Sequence, residues 1–173
     1  GVGLVRMEFI VANSVCVHPM ALIEAASSPS SSSTSSSSSC LTPCEAAFIR
    51  ERCRLFRNPT DYFVRTLAEN LGIIAAAFWP APVNIRFSDF KSNEYAQLIA
   101  ASAFEQEDED NPLLGFRGAC RYVDPRYEAA FRLEVRAVRY LRESLGLTNI
   151  QVLVPFCRSV AEAKRVMEML SEE

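Results

Sequence analysis

Apolar residues along this chain recur with two periods, one short and one helical, and the two alternate. Gly3 to Phe9 reads as a first strand, with Arg6 and Glu8 near its end. Met20 to Ala26 reads as a short helix, with Pro19 suited to the first helical position. A helix from Pro43 to Phe56 and a longer one from Asn58-Pro59 to Phe78 follow. In the longer one Phe63, Leu67, Leu71, Ile74 and Phe78 mark one apolar face, Asn58 or Thr60 is the cap, Pro80 is the stop, and Trp79 reads as core. Val83 to Phe87, just after Pro80 and Pro82, is a second strand, and Tyr95 to Ala103 a short helix. Leu113 to Arg121, with glycines on either side of Arg117, is read as a short third strand. Asp124-Pro125 opens a helix that Gly146 ends, with Tyr127, Phe131, Val138, Leu141 and Leu145 as its buried stripe. Ile150 to Phe156 is a fourth strand. Ser159 to Glu162 is a capping box for a last helix facing inward through Val160, Ala163, Val166, Met167 and Leu170.

Strand and helix in strict alternation predict a parallel α/β sheet with covering helices. A complete (β/α)8 barrel takes ~250 residues, so four units predict the N-terminal half of a TIM barrel, one partial domain over residues 1–173. A half barrel leaves unpaired strand edges, and the chain opens on Gly1 inside a strand. Both points lead us to expect a piece of a larger protein. Residues 27–39 are serine except for Pro29 and Thr34. Such a tract buries no apolar surface and is expected to be a disordered loop insertion.

Composition narrows the function classes. A net charge of −3 offers no basic field to nucleic acid. The acidic run Glu105 to Asp110 reads as a solvated loop. No apolar run reaches the roughly 20 residues that cross a bilayer, and the first twelve residues lack a signal peptide's basic leader. Six cysteines without a C-x-x-C pair, and one histidine, predict no metal site and free thiols in a reducing, cytoplasmic setting. His18, before Pro19, is read as a turn or capping residue rather than an active-site group.

The candidate chemistry lies with arginine. Arg6, Arg86, Arg117 and Arg121 fall near the carboxyl ends of strands or in the glycine-flanked turn. Ligands bind at that end of parallel strands, and guanidinium groups take phosphate and carboxylate bidentately. Arg6 and Arg86 are therefore read as binding a small anion. For Arg117 and Arg121, pairing with nearby acids to hold loops is an equal alternative.

Arg86-Phe-Ser-Asp-Phe-Lys-Ser-Asn-Glu-Tyr95 resembles the second-strand motif of the phosphoenolpyruvate synthase (pyruvate, water dikinase) family. Gly1 to Phe9, Val17-His18-Pro19, Asn111 to Gly118 and Leu147 to Phe156 resemble further segments of that family's substrate-binding barrel. The resemblance implies a reaction in which ATP phosphorylates a histidine on a swivelling domain. The phosphohistidine then phosphorylates pyruvate enolate, giving phosphoenolpyruvate, AMP and phosphate. It implies that Arg6 and Arg86 bind the carboxylate or phosphoryl group, with Arg117 supporting the same pocket. It places the ligands of ATP and Mg2+, the phosphohistidine and the proton-donating cysteine outside this chain. No residue here is then catalytic. Its partners would be pyruvate or phosphoenolpyruvate, the phosphohistidine domain of the same protein and a second copy in a homodimer. A fragment of pyruvate phosphate dikinase and a non-catalytic anion-binding remnant are the alternatives.

Overall fold

The computed structural model describes residues 1–27, 40–105 and 115–173. The expected serine insertion beyond Ser27, and the acidic run beyond Glu105, lie outside the described residues.

Among the described residues three strands form one parallel sheet: β1 (Val2–Arg6), β2 (Val83–Arg86) and β3 (Ile150–Leu153), in the order β1-β2-β3. Register is set at the carboxyl end, where Arg6 pairs with Arg86 and Arg86 with Leu153. β2 is the central strand. Its Val83 and Ile85 share one face and are wholly buried, while Asn84 and Arg86 on the other face are half-buried.

β1 is shorter than expected. The chain turns helical at Met7, so Glu8 stands on α1 (Met7–Ile10), which runs on as a π turn over Val11–Val15. α2 (Pro19–Ser27) follows. α3 (Pro43–Cys53) is opened by Thr42, whose side chain accepts from the Glu45 N–H while the Glu45 carboxylate accepts from the Thr42 N–H. Asn58 caps α4 (Pro59–Ala77) by accepting from the Asp61 N–H at 2.8 Å. Phe63, Leu67 and Leu71 are fully buried along the expected stripe, which packs against α7 (Glu128–Glu143) and α2. The stripe ends early, because Phe78 and Trp79 lie in the turn leaving α4 and Trp79 is 52% exposed; it is not core.

The expected helix over 95–103 is a single turn placed earlier, α5 (Ser92–Tyr95). The expected third strand does not form among the described residues 115–121. Gly118 adopts φ 62° and ψ −140°, and the Arg121 and Tyr122 amides then bond back to the Gly118 carbonyl, closing the helical turn α6 (Ala119–Tyr122). The Ala119 N–H reaches the β3 side, donating to the Pro155 carbonyl at 3.0 Å. With the Arg121 and Tyr122 amides spent in this turn, the segment is helical there, and the strand expected as fourth is β3.

α7 begins four residues after Asp124, because Asp124 and Pro125 make a preceding turn. It buries Phe131 and Leu141 and ends before Gly146, which has φ 70°. Ser159 caps α8 (Val160–Glu172), but the Glu162 carboxylate accepts from the Arg158 N–H in place of the N–H of the cap residue. The inward face of α8 is Val166 and Met169. Val160 and Met167, expected inside, are 73% and 61% exposed. No helix among the described residues is long and apolar enough to cross a membrane.

Candidate functional site

The in-register ends of β1 and β2 set Arg6 and Arg86 side by side on adjacent strands. Like charges so placed repel, and the surroundings supply acids on two sides. The Arg86 guanidinium donates to the Glu8 carboxylate and lies 3.6 Å from an Asp89 carboxylate oxygen. Arg117, brought in by the turn before Gly118, grips Asp89 in a two-pronged pair, Nε and Nη2 each at 2.9 Å, and its plane rests 4.6 Å from the Phe156 ring centre. The Asp89 hydrogen bonds hold the Arg117 guanidinium above its ordinary pKa. Arg6 is exposed, with its guanidinium 5.7 Å from the Phe9 ring centre.

These residues line one cavity of about 460 Å³, with Glu8, Asp89 and Glu94 among its walls. Arg6, Arg86 and Arg117 are thus brought together from three distant stretches of sequence. The buried Nε of Arg86 and Oε2 of Glu8 have no hydrogen-bond partner among the described residues. Fixed guanidinium charge lining a cavity can take a carboxylate or phosphoryl oxygen.

The floor of the cavity is held from below. Ser88 lies between Arg86 and Asp89, and side chains take its polar atoms. Its N–H donates to Glu134 at 3.1 Å, its Oγ–H donates to the other Glu134 oxygen, and its carbonyl accepts from the Tyr122 hydroxyl at 2.5 Å. Tyr95 stands 3.0 Å from Ser88 Oγ and 2.6 Å from the Tyr127 hydroxyl. Burial pushes the Glu134 carboxyl up to about 7, against the pull of the two Ser88 hydrogen bonds. Sequence reasoning passed over Glu134; its one signal was a carboxylate amid the apolar stripe of an otherwise amphipathic helix.

Arg121 goes elsewhere. It is 2% exposed and part of a second pocket with His18, Ser92 and Glu105. Its Nε donates to the Phe116 carbonyl at 3.0 Å, its Nη2 to Ser92 at 2.9 Å, and both terminal nitrogens to Glu105 at 2.5 and 3.1 Å. Tyr95 and Phe116 lie within 4.5 Å of the guanidinium carbon. Every prong is used, so of the two roles open to Arg121 the structural one is taken. Glu105 is correspondingly not the solvated start of an acidic loop. Burial pushes its carboxyl up, but hydrogen bonds from His18 and Arg121 outweigh that and hold it below the ordinary value. His18 caps the start of α2, its Nδ1 accepting from the Met20 N–H at 3.3 Å. Nε2 is then the protonated nitrogen and donates to Glu105 at 3.2 Å. Burial lowers the His18 pKa.

A parallel α/β sheet whose strands end in a cluster of arginines around one cavity defines an α/β protein with a guanidinium-lined edge. The chain matches, over residues 1–173, the family described as PEP-utilising enzyme, PEP-binding domain, and it belongs to that family. It is 43% identical over 171 residues to the phosphoenolpyruvate synthase of Deinococcus radiodurans, covering 99% of this chain and 20% of that protein. The enzyme of the same name from Helicobacter pylori is 42% identical over 170 residues, covering 98% of this chain and 19% of that protein. That of Escherichia coli is 41% identical over 173 residues, covering all of this chain and 20% of that protein. The chain therefore spans about a fifth of the length of these curated relatives.

Proposed function

We propose that this chain supplies part of the pyruvate or phosphoenolpyruvate site of a phosphoenolpyruvate synthase, as one domain forming the N-terminal part of a (β/α)8 barrel. The observation that carries the reading is the convergence of Arg6, Arg86 and Arg117 on one cavity at the carboxyl ends of adjacent parallel strands. The barrel is supported by three parallel strands lying in chain order with helices between them. The synthase, rather than the dikinase that takes phosphate, is supported by the names of the relatives.

In this reading Arg86, whose side chain is part-exposed at the cavity, turns its guanidinium charge to a carboxylate or phosphoryl oxygen. Arg6, unpaired with any acid among the described residues, closes over the same anion. Arg117, set by Asp89, adds fixed positive charge. Such charge stabilises a phosphoryl group in transfer without needing a proton to move. The enzyme's ATP and Mg2+ supply the phosphoryl group and neutralise its charge when bound. Among the described residues no group of three or more His, Cys, Asp or Glu is placed to hold a metal ion, so no metal ligand is assigned here. The phosphohistidine domain is the partner that delivers the phosphoryl group. Six free cysteines support a reducing, cytoplasmic setting.

Calorimetric titration with phosphoenolpyruvate tests the reading. The chain is expected to bind it, and Arg86→Ala to weaken binding by about 100-fold, the scale of one well-made charged contact. Equal affinity in chain and variant would refute the assignment.

A further inference from the structure

We infer that Glu134 is the positioning residue of the arginine pocket: by holding Ser88 it fixes the turn that points Arg86 and Asp89 into the cavity, and through Asp89 it sets Arg117. The inference rests on the anion-site reading above for its ligand, but its geometry stands apart from it.

Ser88 is the one residue between the phenylalanine that ends the β2 ladder and the aspartate that grips Arg117. The Phe87 N–H still donates to the Leu153 carbonyl, extending the ladder one step past β2. Beyond Phe87 no sheet bond is available to fix the backbone. What replaces the ladder is side chains. Glu134, from α7, takes both Ser88 donors, and Tyr122, from α6, takes the Ser88 carbonyl. Directions in the hydroxyl chain follow from this. With Glu134 ionised, Ser88 gives its single hydroxyl proton to that carboxylate, so it accepts from Tyr95. Tyr95 has then spent its own proton and accepts from Tyr127. All the protons point toward the Glu134 carboxylate, which is 1% exposed and has no arginine or lysine among its hydrogen-bond partners.

A buried carboxylate facing only neutral donors is an expensive way to stabilise a fold. A leucine would fit the same apolar helix stripe at no desolvation cost. What a leucine cannot do is hold the Ser88 N–H and hydroxyl at the same point. Asp89 is the next residue, and a two-pronged pair with Arg117 at 2.9 Å has little tolerance for a backbone shift. Glutamine can do most of what glutamate does. Its carbonyl accepts from the Ser88 N–H and its amide donates to Ser88 Oγ, with the hydroxyl chain reversed.

The test uses Glu134→Leu, Glu134→Gln and Ser88→Ala in the 173-residue chain. Phosphoenolpyruvate affinity is read by calorimetry, the Asp89–Arg117 pair by the Arg117 Nε–H resonance, and folding by thermal unfolding of the same samples. Glu134→Leu should lower affinity at least 10-fold and shift the Arg117 resonance while the unfolding midpoint stays near that of the unsubstituted chain. Glu134→Gln should keep affinity within about 3-fold. If Glu134→Leu does not fold, Ser88→Ala takes its place and should move the Arg117 resonance in the same direction. Unchanged affinity together with an unchanged Arg117 resonance would overturn the inference, even where Arg86→Ala abolishes binding. If the unsubstituted chain does not bind phosphoenolpyruvate, the anion reading fails. The Arg117 resonance then decides alone: a shift supports Glu134 as the residue that sets the pair, and no shift overturns it.

Discussion

Two arginine clusters lie at opposite sides of the same turn, and they are built on opposite plans. Around Arg121 every guanidinium prong has a partner, aromatic rings cover the faces, and the group is sealed. Around Arg86 the acids are present but the pairing is incomplete. Its Nε is buried without a partner among the described residues, while Arg6 beside it makes no ion pair there. The same residue type is thus saturated with partners in one place and incompletely paired in the other. Charge alone does not distinguish them. What does is whether neighbouring acceptors use up the donors.

The contrast can be broken most severely at the sealed cluster. Arg121→Ala leaves Glu105 buried against His18 alone, and a lost partner in a buried pair costs roughly 4 kcal/mol. Denaturant unfolding should show that loss. A change below about 1 kcal/mol would mean the cluster is not sealed in solution.

Next in size is the hinge between the clusters, Gly118, which follows Arg117 and precedes Arg121. A Cβ there would stand 2.5 Å from the Pro155 carbonyl oxygen in a backbone conformation with φ 62°. Gly118→Ala should cost roughly 3 kcal/mol and disturb both clusters. Gly146→Ala has φ 70° but open space around it, and should cost about 1 kcal/mol. Equal costs measured side by side would show that the close approach to Pro155 is not maintained.

The last effect sharpens the comparison through pH. Beneath the open cluster Glu134 is pushed from an ordinary 4.5 up to about 7 by burial, with Glu8 as a further like charge and the hydroxyls of Tyr95, Tyr122 and Tyr127 around it. The folded chain keeps this proton where the unfolded chain has lost it. Its contribution to stability therefore falls as pH rises from about 4.5 to about 7. His18 in the sealed cluster works the other way. Burial holds it below 6.5, the unfolded chain takes the proton first, and stability is lost as pH drops below 6.5. Glu134→Gln removes the first effect alone. Its stability relative to the unsubstituted chain should grow by on the order of 2 kcal/mol across that window. A flat difference from pH 4.5 to 7 would show that Glu134 is ionised throughout.

Much of the local structure was legible because its causes are local. Asn58-Pro59 starts α4, Ser159 starts α8, and the short apolar run after Pro82 gives β2. The segment around Gly118 was misread because apolar residues between glycines suit a short strand. Whether it becomes one depends on a partner ladder, and the amides were turned inward instead. Val160 and Met167 were placed inside by periodicity, yet the packing of α8 turns a narrower face, Val166 and Met169, to the core. The motif carrying Arg86 and Asp89 marked a site by its density of charge, and Arg6 and Arg86 could be nominated from strand ends. That Arg117 joins them and Arg121 does not rests on Asp89 and Glu105, acids 28 and 16 residues away from their partners. Glu134 lies 46 residues from the serine it holds.

The sequence by itself determined three strand positions, the helix starts at Asn58 and Ser159 and the arginines at the ends of β1 and β2, since each depends on neighbours within a turn or a pleat. The tertiary structure alone decided which arginines remain open, which are locked and what holds the turn between them, because hydrogen-bond saturation and burial are set by residues that meet only when the chain has folded.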